Sequence, residues 1–312
     1  MREHPPPARF GRVVTAMVTP FEEAGALDLD GAVRLARHLV AEGSDGLLLT
    51  GSTGEASALT DEERVELWRA VGGAVPVPVL AGATSNDTAH SVELVRRAEQ
   101  AGVAGILAVT PYYSRPSQSG IEAHFRAVAA ATTLPVVLYD IPVRTGRRIA
   151  RETLLRLAAE VPNVVGLKDA AGDPAGTARL LAEAPATFEC YSGDDALTLP
   201  LLSIGASGLI GVATHWCGRE CGEMIGRYLS GDVAGAREVN AALIESFGFE
   251  TGDEAPNPQP TKAMLRVLGL PAGQCRLPLG PGPSWLEERA EAVLGRLEAW
   301  RRDRAAAGAA AR

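Results

Sequence analysis

The sequence predicts an α/β fold, a closed (β/α)8 or TIM barrel carrying a C-terminal helical appendage. Three observations predict it. Eight short β-type runs alternate with helical patterns between Val13 and Ala213. Such alternation makes a parallel sheet with right-handed crossovers, and eight units suit closure into a barrel. No dinucleotide-type glycine fingerprint follows the first run, which disfavours an open doubly wound sheet. Past about Trp216 no strand pattern returns and the chain reads as helices only. A barrel is already closed after eight strands, so that part is appended.

The first strand runs from Val13 to Val18 and is ended by Thr19-Pro20-Phe21. Asp28 then reads as an N-cap, with Leu29, Val33, Ala36 and Val40 at helical spacing. Gly46 to Thr50 is the second strand, followed by Gly51-Ser52-Thr53-Gly54-Glu55. Thr60 with Glu63 three residues on is a capping-box pattern opening the next helix. Val77 to Ala83 is the third strand, with Asn86 or Asp87 capping a helix through Ala101. Gly105 to Thr110 and Val136 to Tyr139 are the fourth and fifth. They run into Pro111-Tyr112-Tyr113-Ser114-Arg115-Pro116 and Ile141-Pro142-Val143-Arg144-Thr145-Gly146. Val164 to Lys168, Phe188 to Ser192 and Gly208 to Ala213 complete the set. Helices then follow at about 219–229, 232–249, 260–270 and 284–304, separated by Gly/Pro-rich punctuation. The division expected is a catalytic barrel over 1–225 and a helical domain over 226–312.

The formal charge of −8 argues against nucleic acid, which calls for a basic face. An anionic substrate must then be drawn in by local positive groups. No apolar run is long enough to span a bilayer, and Met1 to Pro7 lacks an apolar signal core. Together with four cysteines, Cys190, Cys217, Cys221 and Cys275, this suits a reduced, cytoplasmic protein. His215, Cys217 and Cys221 lie close together, but no second Cys/His pair follows at ligand spacing, so small buried thiols are expected rather than a metal site. Met1–Pro7 reads as a loose arm, and the tail from Arg301 is expected to fray.

Lys168 is the residue most out of place. A parallel strand covered on both faces is nearly all apolar, yet the run Val164-Val165-Gly166-Leu167-Lys168-Asp169 ends in a lysine. Strict alternation puts Val164, Gly166 and Lys168 on one face. An ordinary lysine, with pKa about 10.4, is neutral in roughly one molecule in two thousand at pH 7. Burial that lowers this pKa by ~3 makes about a third of it a free amine, able to form a Schiff base with a carbonyl. The alternative for an isolated strand is a lysine that snorkels outward and does nothing.

The other unusual residues fall at the same rim, the C-terminal ends of the strands, where barrel enzymes carry their chemistry. Ser52 and Thr53 follow the second strand, Tyr113 the fourth, and Tyr139 and Arg144 flank the end of the fifth. Each singly reads as a turn, a core aromatic or a surface charge; convergence with Lys168 reverses that. A Schiff-base lysine needs a neighbouring acid/base, and a tyrosine hydroxyl serves. The Thr53 hydroxyl with backbone N–H groups of a glycine-rich turn suits a carboxylate. Arg144 offers a forked, permanently charged clamp for a second carboxylate. These parts imply a 2-oxo acid joined to, or released from, a partner that also carries a carboxylate.

At this point the chain resembles the dihydrodipicolinate synthase/N-acetylneuraminate lyase family of class I aldolases. The motifs are Thr15-Ala16-Met17-Val18-Thr19-Pro20-Phe21, the Gly51–Glu55 and Thr110–Pro116 stretches, Tyr139–Gly146, Gly166-Leu167-Lys168-Asp169 and Ser192-Gly193-Asp194-Asp195. The likeness extends to Asn257-Pro258-Gln259-Pro260-Thr261-Lys262. The resemblance implies Lys168 as the Schiff-base residue for pyruvate and Tyr139 as proton donor. Ser52 and Tyr113 complete a hydroxyl relay, with Tyr113 lent by an adjacent subunit of a homotetramer built as a dimer of dimers. Thr53, Gly193 and Ile210 line the pyruvate site, and Arg144 receives the carboxylate of aspartate semialdehyde. The reaction implied is condensation to 4-hydroxy-tetrahydrodipicolinate in lysine biosynthesis, with no metal or organic cofactor.

Three departures stand out: Ser52 for the synthases' usual threonine, Ser114 for a usual asparagine, and Gly211 for a usual serine. Arg144 favours a synthase over a neuraminate lyase. The positions at which lysine-inhibited members carry histidines and glutamate read Asp61, Arg64 and His90, with Asn86 and Tyr112 retained; weak or absent lysine inhibition is expected. The competing readings are a pyruvate-dependent aldolase or dehydratase acting on a sugar acid, and a non-catalytic barrel that binds a small acid.

Overall fold

In a computed structural model describing Pro6 and residues 8–310, the β-type runs form one closed barrel whose parallel strands follow chain order. The strands are β1 (Val13–Ala16), β2 (Gly46–Leu49), β3 (Val79–Gly82), β4 (Gly105–Val109), β5 (Val136–Asp140), β6 (Val164–Asp169), β7 (Glu189–Ser192) and β8 (Gly208–Gly211). The helices within the barrel are α1 (Leu29–Ala41), α2 (Asp61–Gly72), α3 (Thr88–Gln100), α4 (Gln118–Ala130), α5 (Pro142–Thr145), α6 (Arg151–Glu160), α7 (Pro174–Glu183) and α8 (Thr198–Leu202). Beyond β8 come α9 (Thr214–Leu229), α10 (Val233–Phe249), α11 (Gln259–Val267) and α12 (Leu286–Ala310). The expectation for the Met1–Pro7 arm falls almost wholly outside the described residues.

The helix starts follow the capping chemistry. Asp28 accepts from Gly31 N–H, and the Thr60/Glu63 capping box closes in both directions. Asp87, rather than Asn86, caps α3 by accepting from His90 N–H. Most strands stop one or two residues before the apolar run does. Thr50 shows why: its φ of 52° breaks the ladder although the side chain stays buried.

Three apolar layers hold the molecule. Inside the barrel pack Phe10, Val14, Leu48, Leu80, Leu107, Val137, Tyr139, Tyr191 and Ile210. Between strands and helices lies a second layer that includes Leu35, Leu47, Trp68, Leu94, Phe125 and Leu167. A third joins β1 and β8 to α9–α12 through Val13, Leu209, Val239, Leu243, Phe247, Met264 and Leu297. Each such side chain contributes roughly 1.5–3 kcal/mol when fully buried, so the tail is docked rather than trailing. The expected boundary at residue 225 falls inside α9.

Two expectations are corrected here. The tail does not fray from Arg301: α12 continues to Ala310, Arg301 pairs with Glu220 at 2.7 Å, and Arg304 with Glu223 at 2.6 Å. Strict alternation also fails in β6. The register against β5 shifts between Val136 and Val137, pairing Val136 with Val164 but Val137 with Gly166. Val165 is therefore the extra residue of a bulge. Val164 joins Leu167 in the strand–helix layer while Val165 packs on the interior layer, so only Gly166 keeps the spacing that shares a face with Lys168.

Candidate active site

Lys168 and Tyr139 are register partners on β6 and β5. Lys168 is 4 % exposed, and its Nζ stands 4.5 Å from the centre of the Tyr139 ring. Burial drives the lysine pKa down to about 8; the carboxyl groups of Asp195 and Glu250 oppose that shift and the guanidinium of Arg144 adds to it. At that value about one lysine in ten is a free amine at pH 7. Burial likewise pushes Tyr139 up to about 12, against the pull of Arg144 and a hydrogen bond with the Ser52 side chain. The phenol therefore holds its proton at neutral pH and can donate it.

Ser52, Tyr139 and Arg144 line one cavity of about 300 Å³, together with Tyr112, Asn257 and Arg276. Ser52 is exposed to it, and Arg144 donates from Nη2 to the Asn257 carbonyl at 3.4 Å. Thr53 is buried next to Ser52, and Ile210 is wholly buried on β8, paired with Val14 of β1. Gly193 follows β7 where a side chain would crowd the lysine: a Cβ there would meet Lys168 Cγ and Cε at 3.0 Å. Among the residues expected at the site, Tyr113 stands apart. It is 91 % exposed, with φ 69°, and the neighbouring Tyr112 lines the cavity instead.

Sequence reasoning missed two participants. Asp195, at the end of the Ser192–Asp195 motif, is wholly buried and accepts from the N–H groups of Val212 and Ala213 at 3.0–3.2 Å. Glu250, from the end of α10, hydrogen-bonds Asp195 and accepts from Ala213 N–H at 3.2 Å. Both carboxyls are pushed up by burial, and Glu250 further by Asp195. Asp195 lay inside a quoted motif, whereas nothing local marked Glu250. The Asp195 carboxylate also accounts for Gly211. A Cβ at 211 would lie 2.6 Å from Asp195 Oδ1, which the two N–H groups hold in place.

The His215/Cys217/Cys221 cluster is occupied by protein contacts. His215 Nε2 accepts from Val18 N–H at 3.2 Å, and Nδ1 faces the Val212 carbonyl at 2.7 Å. Cys217 Sγ donates to Ala213 O at 3.1 Å, with the Cys221 sulfur 3.9 Å away. Among the described residues no group of His, Cys, Asp and Glu has the arrangement of a metal site. No helix among them is long and apolar enough to cross a membrane.

Comparison with known proteins agrees with this architecture. The family model described as the dihydrodipicolinate synthetase family matches residues 9–295. A 4-hydroxy-tetrahydrodipicolinate synthase of Moorella thermoacetica is 49 % identical over 290 residues, covering 92 % of this chain and 98 % of the relative. The Acidothermus cellulolyticus protein of the same name is 53 % identical over 276 residues, 88 % of each chain. Among solved structures, the Cyanidioschyzon merolae enzyme with lysine bound superposes with a TM-score of 0.90 at 42 % identity, over 93 % of this chain and 98 % of that one. A Bacillus anthracis dihydrodipicolinate synthase gives 0.88 at 38 % identity, over 92 % and 98 %. This chain belongs to the dihydrodipicolinate synthetase family.

Proposed function

We infer that this chain is a lyase that condenses pyruvate with L-aspartate 4-semialdehyde through a Schiff base, forming 4-hydroxy-tetrahydrodipicolinate on the way to lysine. The observation that carries this reading is a buried lysine amine 4.5 Å from the ring centre of a tyrosine that burial keeps protonated, with Ser52 on the wall of the same cavity as that tyrosine.

The neutral Lys168 amine attacks the keto carbon of pyruvate, and the oxygen leaves as water once protonated. Tyr139 supplies that proton and Ser52 relays protons from the cavity. Loss of a methyl proton from the iminium gives an enamine, which attacks the aldehyde carbon. The amine of the semialdehyde then closes the ring on the former keto carbon and releases Lys168. The protonated imine is the electron sink, so the carbon–carbon bond needs no further cofactor. Thr53, Gly193 and Ile210 shape the pyruvate end, and Arg144 pairs with the carboxylate of the aldehyde. Arg144 at the cavity wall is what favours this acceptor over a neutral sugar chain.

Tyr113 completes the relay from a neighbouring subunit. Its exposure and left-handed backbone at the tip of the β4 loop suit a side chain offered outward rather than to its own barrel. The working form is then a cytoplasmic homotetramer, a dimer of dimers. Barrel and appendage act as one unit, because Glu250 and Asn257 come from the tail to the site.

Borohydride reduction in the presence of pyruvate tests the reading. A pyruvyl-sized adduct at Lys168, with turnover on aspartate semialdehyde exceeding that on sugar acids, is expected. A protein that takes up no adduct is a binding barrel instead.

A further inference from the structure

Ser52 and Thr53 ride on a loop whose two ends both lie in the left-handed region, Thr50 at φ 52° and Glu55 at φ 53°. For residues other than glycine this conformation is strained and persists only where the surroundings hold it. The barrel holds Thr50: its hydroxyl donates to Gly82 O at 3.1 Å and accepts from Trp68 Nε1 at 2.8 Å. The C-terminal appendage holds Glu55. Lys262 of α11 places its Nζ 2.6 Å from Glu55 Oε1, with both side chains 1 % exposed, and Arg276 N–H donates to Oε2 at 2.8 Å.

The rest of this cluster braces the same contact. Lys262 Nζ also donates to Gln274 O at 3.1 Å and lies 4.2 Å from the Phe21 ring centre. The Arg276 guanidinium stands 4.3 Å from that ring and donates to both Glu63 oxygens at 2.6 and 2.8 Å. Glu63 belongs to the capping box of α2, the helix that receives the loop. Glu55 in turn is tied to Ser52 by the turn bond from its N–H to Ser52 O at 3.1 Å. Moving the Glu55 backbone therefore moves the Ser52 hydroxyl relative to Tyr139.

A fully buried ion pair is a poor source of stability, since desolvation offsets most of the attraction, but it can specify one arrangement. We propose that Glu55 and Lys262, seconded by Arg276, are positioning residues for the reaction: a latch through which the helical appendage sets Ser52 and Thr53 in the barrel mouth. The proposal rests on the roles given to Ser52 and Thr53 above, and the test separates the two.

The experiment compares Lys262→Met, Glu55→Gln and their double variant with Ser52→Ala and with Arg301→Ala. Arg301→Ala removes an ion pair between α12 and α9, away from the loop. Each is assayed below its melting onset. In the double variant kcat is expected to fall about 10- to 100-fold, the scale of a small misplacement of catalytic groups. KM for pyruvate rises with it, while Arg301→Ala lowers Tm and leaves both constants unchanged. Wild-type kcat and KM in the double variant, with Ser52→Ala impaired, overturns the latch alone. Wild-type kcat in Ser52→Ala overturns the relay and the latch with it. If the double variant does not fold, Glu55→Asp keeps the charge and shortens the reach. It is expected to fold with reduced kcat, and full activity there overturns the proposal.

Discussion

Lys168 and Tyr139 meet across one rung of the β5–β6 ladder, the amine nitrogen 4.5 Å from the centre of the phenol ring. Both are buried, and the same desolvation that frees the amine keeps the phenol protonated. One strand pair thus holds a partly free amine beside a protonated phenol at the same pH.

Tyr139→Phe keeps the ring and removes the donor. We expect kcat to fall by about 10²–10⁴, the usual worth of a general acid, with a stability change of ~1 kcal/mol or less. Steady-state kinetics beside a thermal melt checks this; undiminished turnover assigns the proton to another group.

The free amine fraction sets the pH dependence of pyruvate capture. With Lys168 at about 8, kcat/KM for pyruvate should climb about tenfold per pH unit below 8 and level off above it. A profile already flat between pH 6 and 8 would contradict the buried-amine account.

The same group makes a stability prediction. Its folded pKa lies below the unfolded value, so between about pH 8 and 10.5 the unfolded chain binds more protons. Wild-type stability therefore rises with pH through that window. Below pH 8 the buried ammonium costs on the order of 3 kcal/mol. Lys168→Met should be the more stable protein at pH 7 by about that amount, with the gap closing by pH 10.5 in denaturant titrations.

Tyr113 is almost fully exposed in the single chain, so Tyr113→Ala should leave the monomer's own stability within about 0.5 kcal/mol. If the phenol serves a neighbouring site, kcat falls at least tenfold in the assembled enzyme. Sedimentation should then report a tetramer for wild type and variant alike. An active monomer disposes of the lent tyrosine.

Lysine should inhibit weakly or not at all. Asp61 is taken up by His90 at 2.8 Å and by Arg97 at 3.9 Å. Arg64, 6 % exposed, puts a guanidinium into the cavity wall beside Tyr112, which repels a second cation. Inhibition at physiological lysine concentrations in a titration of initial rates refutes this.

Much of the site was legible because barrel geometry converts chain order into position. A polar residue at the C-terminal end of any strand run lands on one rim, so Ser52, Tyr139, Arg144 and Lys168 could be grouped without knowing a single distance. The Val165 bulge was not legible, since alternation assumes a regular partner strand and the register shift depends on β5. The outward direction of Tyr113 came from the family resemblance alone, since it follows from a loop φ that no local pattern of non-glycine residues announces.

Periodicity, capping pairs and one misplaced lysine, all read within a few residues of each other, determined the barrel, its helical tail and the lysine buried at the barrel mouth. Only the folded chain decided that Glu250 reaches Lys168's surroundings and that Lys262 grips Glu55. Those partners are separated by 82 and 207 positions in the sequence. Their meeting depends on how the tail docks against β1 and β8, a packing choice made by the whole apolar layer between them and carried by no short stretch of residues.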